Sequence, residues 1–479
     1  MLPYNAAMRL RVLTLVLLLG ACKPADPKDP NRWMKRLSDS DPRVRQQAIR
    51  ELRKLKAKEA APQVADLLKD LVVREEAASS LRDIGTPAEV PALLEAVDTT
   101  VGAGSDTATR AANRNNALIA EALGEIGDAA GIPALQHALV LERQGVNFLP
   151  EASYALFELG RAAVEPMLRV ARDEDAAYLK WARDNNLAPA GTYAKAALVL
   201  GDLGDARAVP VLLDKLRYRD PDPLPGTARI LTNLVRQFAA NALGRLRSKE
   251  AAAPILAFVE TKDAQDIDLV SFCTEALVWI GDRSAAKEML KRAESGDVRL
   301  RMVVAQGAAL LADESVLRQF ESLSARARKS PAAQCSRELE QLQYGEAGDK
   351  SCEVVAAQID GLATAVQAVH SCKDSASCWL DKLKDPEPLI RAKAAYELGR
   401  RGAGESVGAL VQAATDQDTI DRVAVIRALE WLIGVPAAKP DLKAGASKLA
   451  AQLAAEQGRE QFVRVNEELR RLQARLAHL

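Results

Sequence analysis

The sequence predicts an all-α fold, a right-handed solenoid of stacked antiparallel helix pairs, on three observations. A short motif, Ala-x-x-Leu-Gly-x-Ile/Leu-Gly followed by Val/Ala-x-Pro-x-Leu-Leu, recurs at intervals of tens of residues, as is typical of repeat proteins. Alanine and leucine supply most of the apolar residues, whereas aromatic residues are only 4% of the chain, which favours closely packed helices over sheets. The chain of 479 residues is long for one compact core, but each repeat of a solenoid contacts only its neighbours.

The N-terminus has the layout of a secretory signal. Two arginines precede an apolar run over residues 12–19 that is too short to span a bilayer as a stable helix. The run ends in Leu-Gly-Ala-Cys at residues 19–22, which resembles the lipobox of bacterial lipoproteins. That resemblance implies that residues 1–21 are removed and that Cys22 carries the lipid. The alternative is an ordinary secretory signal in which Cys22 lies near the cleavage site by chance.

Residues 22–37 are predicted to be a tether, because three prolines and four charged residues crowd positions 23–30. Lys23, directly after the cysteine, resembles the sorting position of lipoproteins that are sent to the outer membrane. The resemblance implies a bacterial membrane lipoprotein of the outer membrane, whose folded part is periplasmic or surface-exposed. Its contact with the membrane is then the lipid on Cys22.

The last glycine of each motif sets the spacing of the repeats. It ends the first helix of a pair, because glycine readily adopts the left-handed conformation at a helix C-terminus. The marker recurs at intervals of 33 to 44 residues, with an arginine in one place: Gly85, Gly127, Gly160, Gly204, Arg247 and Gly281. Earlier and later copies begin with Asp-Pro, at residues 41 and 385, where aspartate is a helix N-cap and proline takes the first helical position.

This apolar pattern resembles the HEAT-repeat family, particularly the short bacterial type first noted in phycobilin lyases. The resemblance covers roughly residues 38–320 and 380–435, and it implies HEAT-like repeats over 38–324 and 380–455. Tetratricopeptide repeats are the alternative architecture, but their period is about 34 without wide variation. One helix pair cannot bury its apolar face alone, so the repeats must stack.

Three of the longer intervals carry extra residues after the second helix of a repeat, at 99–106, 173–192 and 218–226. Inserts at one phase of a solenoid emerge on one edge, and loops on a rigid scaffold often bind partners. The candidate partner-binding residues are aromatic and arginine side chains of two inserts: Tyr178, Trp181, Tyr218 and Arg219. The alternative is that all three inserts are tolerated surface loops.

Residues 325–379 break the repeat and contain four of the six cysteines, so we predict a helical insert there. Two disulfides are expected in an oxidising envelope, contributing about 3 and about 2 kcal/mol on the loop-entropy relation. Of three possible connectivities, we favour the pairs closest in sequence: Cys335 with Cys352, and Cys372 with Cys378. The alternative is a zinc site with His370, although the segment has no Cys-x-x-Cys pair.

Residues 456–479 are predicted to form an amphipathic helix that caps the repeats. Its apolar residues alternate at spacings of four and three: Val465, Leu469, Leu472, Leu476 and Leu479. A cap is favoured over pairing with another helix, since the ends of a solenoid need a polar outer face.

Composition and motifs favour a binding protein over an enzyme. Lys plus Arg and Asp plus Glu are both 65, a balance that argues against nucleic-acid binding. None of the three histidines has ligand-like spacing, and no phosphate-binding loop, nucleophile elbow or His-Glu-x-x-His motif occurs. We therefore expect a non-catalytic envelope scaffold without cofactor, metal or small-molecule substrate, which binds a protein or peptide through its solenoid surface and inserts. The alternatives are a lyase-like or other enzyme on the same scaffold, and a purely structural envelope protein.

Overall fold

Helices build the described part of this computed structural model, apart from connecting turns and one small hairpin. The structure describes residues 28–98, 107–143, 146–222, 224–259, 266–295, 300–341, 350–416, 421–456, 463–477 and 479. The predicted all-α solenoid of stacked helix pairs is confirmed. The chain divides into two compact units, Met1–Leu159 (unit 1) and Gly160–Leu479 (unit 2). The signal peptide, Cys22 and the insert at 99–106 lie outside the described residues.

Unit 1 packs its helices in two layers. They are α1 (Pro30–Met34), α2 (Pro42–Lys54), α3 (Ala61–Asp66), α4 (Arg74–Ile84), α5 (Val90–Ala96), α6 (Thr107–Ile126), α7 (Ile132–Val140) and α8 (Leu149–Leu159). The longer helices α2, α4, α6 and α8 lie side by side in an inner layer, and the shorter α3, α5 and α7 form an outer layer. An antiparallel hairpin of β1 (Glu142–Arg143) and β2 (Val146–Asn147) precedes α8.

The first helix places folded structure earlier than expected. Residues 30–37, assigned to the tether on sequence grounds, form α1 and the turn after it. The Asp29 carboxylate caps this helix by accepting a hydrogen bond from the main-chain N of Asn31 at 3.0 Å. Trp33 and Leu37 are buried. A capped turn with two buried apolar side chains is packed structure, so the tether boundary at residue 37 is too late.

Unit 2 is itself built from two layers of helices. Its first helices are α9 (Arg161–Ala171), α10 (Ala176–Asp184), α11 (Pro189–Leu203), α12 (Val209–Leu216), α13 (Pro225–Leu246), α14 (Ala252–Val259), α15 (Ile267–Ile280), α16 (Ser284–Ser295) and α17 (Arg301–Leu311). The later ones are α18 (Leu317–Arg328), α19 (Ala332–Gln341), α20 (Ser351–Ala368), α21 (Ala376–Lys382), α22 (Pro388–Arg401), α23 (Val407–Ala414), α24 (Arg422–Leu432), α25 (Lys439–Glu456) and α26 (Val463–Ala477). The inner layer runs through α11, α13, α15 and α17, and α22, α24 and α26 stack in the same manner.

One-turn 3-10 helices lead into several outer helices and interrupt other connections. They are Lys58–Ala60, Leu67–Lys69, Pro87–Glu89, Ala129–Gly131, Ala206–Ala208, Lys249–Ala251, Glu314–Val316, His370–Cys372, Gly404–Ser406 and Pro436–Ala438. Aspartate caps some of these turns, as where the Asp205 carboxylate accepts from the main-chain N of Arg207 at 2.9 Å. The recurring small or charged residues after each marker are therefore a capped turn between paired helices.

Left-handed residues after the inner helices confirm most of the predicted repeat markers. Positive φ angles of 57° to 77° occur at four of them: Gly127, Gly160, Gly204 and Gly281. Arg247 takes the left-handed helical conformation of Gly204 and Gly281, with φ 51° and ψ 32°, whereas Gly160 has a ψ of −125°. Gly85 differs, because it ends α4 in an extended conformation, with φ −65° and ψ 156°, directly before the turn capped by Thr86.

The first glycine of the motif sets how closely adjacent inner helices approach. A Cβ added there would lie 2.8 Å from an alanine Cα on the next inner helix: Gly124 on Ala155, Gly201 on Ala242, Gly244 on Ala276 and Gly399 on Ala428. A separation this short is below what real Cβ atoms adopt, so only glycine fits without a shift of backbone. The two glycines of the motif therefore have different roles, one in helix packing and the other in ending the helix.

The cysteine-containing segment is helical, although its first helix, α18, begins before residue 325. The structure joins the pairs that sequence proximity favoured, with Cα–Cα distances of 5.1 Å for Cys335–Cys352 and 5.2 Å for Cys372–Cys378. The first bridge ties α19 to α20. Beside the second bridge, the Trp379 indole N–H donates to the main-chain O of Lys373 at 2.9 Å.

Helix α22 follows this segment and packs back against α15 and α17. The indole Nε1 of Trp279 donates to the hydroxyl of Tyr396 at 3.2 Å. The ammonium of Lys393 donates to the main-chain O of Ala309 at 2.9 Å, at the end of α17. The guanidinium of Arg400 donates to the main-chain O of Val278 at 2.6 Å. The segment is thus an insertion in a layer that resumes with α22.

Helix α26 covers the last repeat and also reaches the first inner helices of unit 2. Leu469, Leu472 and Leu476 are buried, as the amphipathic pattern predicts. Glu468 pairs with Arg245 at 2.7 Å and with Arg427 at 2.9 Å. The helix is therefore more than a cap, because it links α24 to α13.

Six buried charges meet at this junction, and we call them the ion cluster: Asp202, Arg245, Arg427, Glu430, Glu468 and Arg471. None of their side chains is more than 10% exposed. Asp202 pairs with Arg245 and with Arg471, each at 3.1 Å. Three arginines and three carboxylates balance one another, as burial of charge requires.

Candidate interaction surface

The insert at residues 173–192 forms an extra helix in unit 2. Asp173 adopts a positive φ of 61° after α9, and the Asp175 carboxylate then caps α10 by accepting from the main-chain N of Tyr178 at 3.1 Å. A second left-handed residue, Asn186, follows α10 and turns the chain towards α11. The insert is therefore a folded element rather than an open loop.

Tyr178 and Trp181, two of the predicted partner-binding residues, have different environments on α10. Tyr178 is only 4% exposed, and its hydroxyl lies 3.3 Å from Oγ1 of Thr192 on α11. Burial raises the pKa of Tyr178 to about 12. Trp181 is partly exposed, with its ring centroid 5.7 Å from that of Tyr178. The prediction for Tyr178 is corrected, because a buried ring holds α10 in place and presents little surface to a partner.

Hydrogen bonds order the start of the insert at 218–226. The hydroxyl of Tyr218 donates to the carboxylate of Asp220 at 2.8 Å. The main-chain N of Asp220 donates to Oγ1 of Thr232 at 2.9 Å, which ties the insert to α13. Arg219 lies between Tyr218 and Asp220 in the sequence, and its side chain is exposed. The predicted pair Tyr218 and Arg219 is therefore presented from an ordered turn.

The bases of these two inserts meet through aromatic rings. Tyr193 of α11 and Tyr218 are in edge-to-face contact, with ring centroids 5.4 Å apart. The ammonium of Lys215 lies 3.8 Å from the Tyr193 ring centroid, and the Tyr193 hydroxyl donates to Asp173 at 2.6 Å. Cation–π and aromatic contacts of this kind stabilise surface loops by about 0.5–1.5 kcal/mol each. The two inserts thus form one connected region of unit 2.

A groove that we call the arginine groove lies beside the second insert. Its volume is about 320 Å³, and α12, α13, α14 and the turn after α12 contribute to its wall. The lining residues are Leu213, Leu216, Arg217, Arg219, Arg236, Pro254, Ala257 and Phe258. Three guanidinium-bearing side chains therefore line a groove whose other described lining residues are apolar, with no carboxylate among them.

Arg236 is the buried member of the three arginines. It is 3% exposed, its Nε donates to the main-chain O of Tyr218 at 2.8 Å, and its guanidinium lies 5.1 Å from the Phe258 ring centroid. Sequence reasoning named Arg219 but missed Arg217 and Arg236. Arg217 is adjacent to the named pair, so a local signal was present. Arg236 lies 18 positions after Tyr218 inside a helix, where only the fold brings it back to the insert.

Exposed apolar side chains extend this surface. Leu224 and Ile230, at the start of α13, are each 65% exposed. Leu224 belongs to the insert at 218–226, and Ile230 belongs to α13, the helix that contributes Arg236 to the groove. This region of unit 2 therefore offers apolar and cationic contacts together.

A polar cleft of about 280 Å³ lies between the cysteine-containing segment and α22. Arg283, Lys393, Glu397 and His370 are among its lining residues. Burial lowers the pKa of Lys393 to about 7, although its ammonium is hydrogen-bonded to the end of α17. Glu397 accepts from Arg283 at 2.8 Å. These charged side chains hold α22 against its neighbours, so their role in the cleft is structural.

Three carboxylates gather on the inner layer of unit 1. Glu158 of α8 lies near Glu121 and Glu125 of α6, and Glu121 pairs with Arg82 at 2.8 Å. Burial, together with the charges of Glu125 and Glu121, raises the pKa of Glu158 to about 7. A carboxyl with this pKa changes its charge near neutral pH.

No metal site and no membrane-crossing helix is found in the part of the chain that the structure describes. Within that part, no three histidine, cysteine or carboxylate side chains are grouped as metal ligands. Nor does any described helix combine the length and apolar character needed to cross a bilayer. The zinc alternative for the cysteines therefore has no ligand set among the described residues.

Two family models match this chain, and both describe the same kind of repeat. The model for HEAT repeats matches residues 30–113 and 377–457. The model for the PBS lyase HEAT-like repeat matches residues 118–140, 193–218 and 235–261. With the helix pairs described above, these matches define an α-solenoid built from HEAT repeats. No curated protein matches the chain significantly.

Solved structures similar to this chain are distant in sequence. Human deoxyhypusine hydroxylase in complex with glycerol is 20% identical over 57% of this chain and 90% of that chain, with a TM-score of 0.22. An engineered protein is 16% identical over 94% and 98%, with a TM-score of 0.22. Kap95p, from a structure that concerns its binding to RanGDP, is 12% identical over 95% and 69%, with a TM-score of 0.41.

Proposed function

We propose that this protein is a non-catalytic scaffold of the bacterial cell envelope that binds an acidic segment of a protein partner in the arginine groove. The observation that carries the proposal is the lining of that groove, where the described residues are three arginines and five apolar residues, with no carboxylate among them. Carboxylates form charge-assisted, often bidentate hydrogen bonds with guanidinium groups, each contributing about 1.5–3 kcal/mol. An acidic segment with apolar side chains complements both parts of the lining.

The groove also has the features that make an arginine effective in recognition. Arg236 is fixed by its bond to the main-chain O of Tyr218 and by Phe258, so little side-chain entropy is lost when a ligand arrives. Arg217 and Arg219 are exposed and reach the ligand from the turn after α12. Leu224 and Ile230 add apolar contacts outside the groove.

The groove is tested with a fluorescent peptide of alternating glutamate and leucine, Glu-Leu-Glu-Leu-Glu, titrated against the purified protein. We expect the double variant Arg217→Glu and Arg219→Glu to weaken its binding at least about tenfold, since attraction becomes repulsion. Arg229→Glu on α13 is the matched control, because Arg229 is exposed but does not line the groove. Equal loss in the control, or equal binding of Lys-Leu-Lys-Leu-Lys, would contradict the proposal.

The envelope location rests on the lipobox resemblance at residues 19–22 and is tested in intact cells. Cys22→Ala is expected to release the protein from the membrane fraction. Non-reducing peptide mapping of the wild type should recover Cys335 linked to Cys352 and Cys372 linked to Cys378, as expected in an oxidising compartment. Unchanged fractionation of the variant would contradict the lipid anchor at Cys22. Free thiols at all four cysteines would contradict the two disulfides.

The partner itself is sought by cross-linking in the same cells, followed by mass spectrometry. One enriched envelope protein with an acidic segment supports the scaffold. If the double arginine variant enriches the same protein to the same extent, the protein still acts as a scaffold, but the arginine groove is not its binding surface.

A further inference from the structure

Unit 1 contains a small cavity between the first turns of α6 and the start of α8. Its volume is about 270 Å³. The lining residues are Arg110, Asn113, Arg114, Ala117, Asn147, Phe148 and Glu151. Apolar surface from Phe148 and Ala117 is combined here with polar groups at the ends of the two helices. The size suits one or two residues of a peptide rather than a cofactor, since drug-sized ligands occupy about 300–1,000 Å³.

Asn113 lines this cavity, and its side-chain carbonyl lacks the hydrogen bond that a buried amide oxygen normally accepts. The residue is 5% exposed, and its Oδ1 is buried without a hydrogen-bond partner among the described residues. Such a group is costly, because its desolvation is not compensated. A ligand that donates a hydrogen bond to this oxygen would compensate the cost of its burial.

Asn116, one turn further along α6, shows what a satisfied amide looks like in the same surroundings. Its Oδ1 accepts from the main-chain N of Asp98 at 3.0 Å, and its Nδ2 donates to the main-chain O of Asp98 at 2.7 Å. Asn116 thereby recognises one residue's main-chain donor and acceptor together. Asn113 presents the same side chain towards a cavity instead of towards the protein's own backbone.

We propose that this cavity binds an extended segment of a polypeptide through the side-chain amide of Asn113. The main-chain N–H and C=O of the bound segment take the places that the main chain of Asp98 takes for Asn116. An apolar side chain of the segment lies against Phe148 and Ala117. Arg114, which also lines the cavity, is already paired with Glu75 at 2.8 Å, so recognition of the segment rests on the Asn113 amide.

The cavity is separate from the arginine groove, and the proposal goes beyond the function argued above. The groove belongs to unit 2 and selects for carboxylates, whereas this cavity belongs to unit 1 and selects for a peptide unit. Loss of binding at either one is measured with a different probe, so failure of one proposal leaves the other standing.

The first experiment compares the stability of two matched variants, Asn113→Leu and Asn116→Leu. Removing an unpaired amide should raise the melting temperature of unit 1 by roughly 2–4 °C, whereas removing a paired one should lower it by a similar amount. Asn113→Ala serves if leucine proves too large for the site. A lower melting temperature for both Asn113 variants would mean that the amide is satisfied in the folded protein and would overturn the proposal.

The second experiment measures binding of N-acetyl-leucine methylamide to the full chain by NMR titration. The probe carries two peptide units and one apolar side chain, and N-acetyl-leucine methyl ester is the control that lacks one N–H donor. We expect the amide to bind at least about fivefold more tightly than the ester, and Asn113→Leu to abolish this difference. Equal binding of amide and ester, or binding that survives the substitution, would overturn the proposal.

Discussion

Glu158 in unit 1 is partly buried and Glu468 in unit 2 is buried, and their surroundings act on the charge in opposite directions. Burial and the neighbouring carboxylates of Glu125 and Glu121 raise the pKa of Glu158 to about 7. Burial also acts to raise the pKa of Glu468, but Arg245, Arg427 and other nearby arginines outweigh it and hold that pKa well below its usual range.

The difference shows that the same repeat fold can either raise or lower the pKa of a glutamate in its inner layer. The stack of unit 1 leaves a carboxyl that is neutral in part at neutral pH. In unit 2 the carboxylate arrives on α26 and completes the ion cluster, so it stays charged. Burial of an ion pair contributes little net stability, but it fixes where the charged helix docks, since any other position leaves its charges unpaired.

The largest expected effect comes from removing the charge at the centre of the ion cluster. Glu468→Ala leaves Arg245 and Arg427 buried without this counter-charge, which should cost about 3–5 kcal/mol in the free energy of unfolding. Thermal melting and limited proteolysis near α26 measure the loss. Glu467→Ala is the control, because Glu467 is exposed on the same helix, where a charged side chain contributes at most about 1 kcal/mol.

If the two variants were equally stable, α26 would not depend on the ion cluster. The contrast between the two units would then reduce to a difference in hydrophobic packing. Detachment of α26 without a change in melting temperature would lead to the same conclusion.

A smaller effect is expected where the two units share the same contact. Gly124→Ala in unit 1 and Gly201→Ala in unit 2 each force a Cβ to within 2.8 Å of an alanine Cα, which should destabilise by about 2 kcal/mol. Gly204→Ala is the matched control, because no atom lies within 4 Å of its added Cβ and only the left-handed φ of 72° opposes it, at about 1 kcal/mol. Chemical denaturation measures all three, and a milder effect at the packing glycines than at Gly204 would contradict the assigned roles.

The smallest effect should be a gain in stability. The pKa of Glu158 is raised on folding, so its contribution is present below about pH 4.5 and is lost as the pH rises through about 7. Glu158→Gln should therefore stabilise the protein at pH 8 by about 1 kcal/mol, after allowance for solvent screening, and have little effect at pH 4. Denaturation of variant and wild type across this pH range measures the difference, and a gain independent of pH would exclude the titration of Glu158 as its cause.

Features that follow from contacts between adjacent repeats were predictable from the sequence. The helix pairs, the positions of two described inserts and the left-handed residues all follow from local spacing. Arg247 is the clearest case, because its place in the Leu-Gly-x-Leu motif identified it as a marker and it takes a glycine-like conformation.

Features that depend on distant residues were not predictable. The groove needs Arg236 to return to the insert, and the ion cluster needs residues that lie more than 200 positions apart. Tyr178 was assigned to the surface because an insert with an aromatic residue looks exposed, whereas the helix α10 that it forms turns the ring inward. The periodic pattern of the sequence predicts contacts between adjacent repeats, but it says little about contacts between residues far apart in the chain.

Because α26 pairs with residues of α11 and α13, unit 2 is complete only when its last helix has been synthesised. A simple repeat array grows by adding neighbours, so its first repeats fold while later ones are still being made. Arg245 and Asp202 instead find partners on Glu468 and Arg471, which are 223 and 269 positions later. A charged seam on α11 and α13 therefore stays open to solvent until residues 463–477 have been made, so a chain that lacks them exposes charges that the complete chain buries.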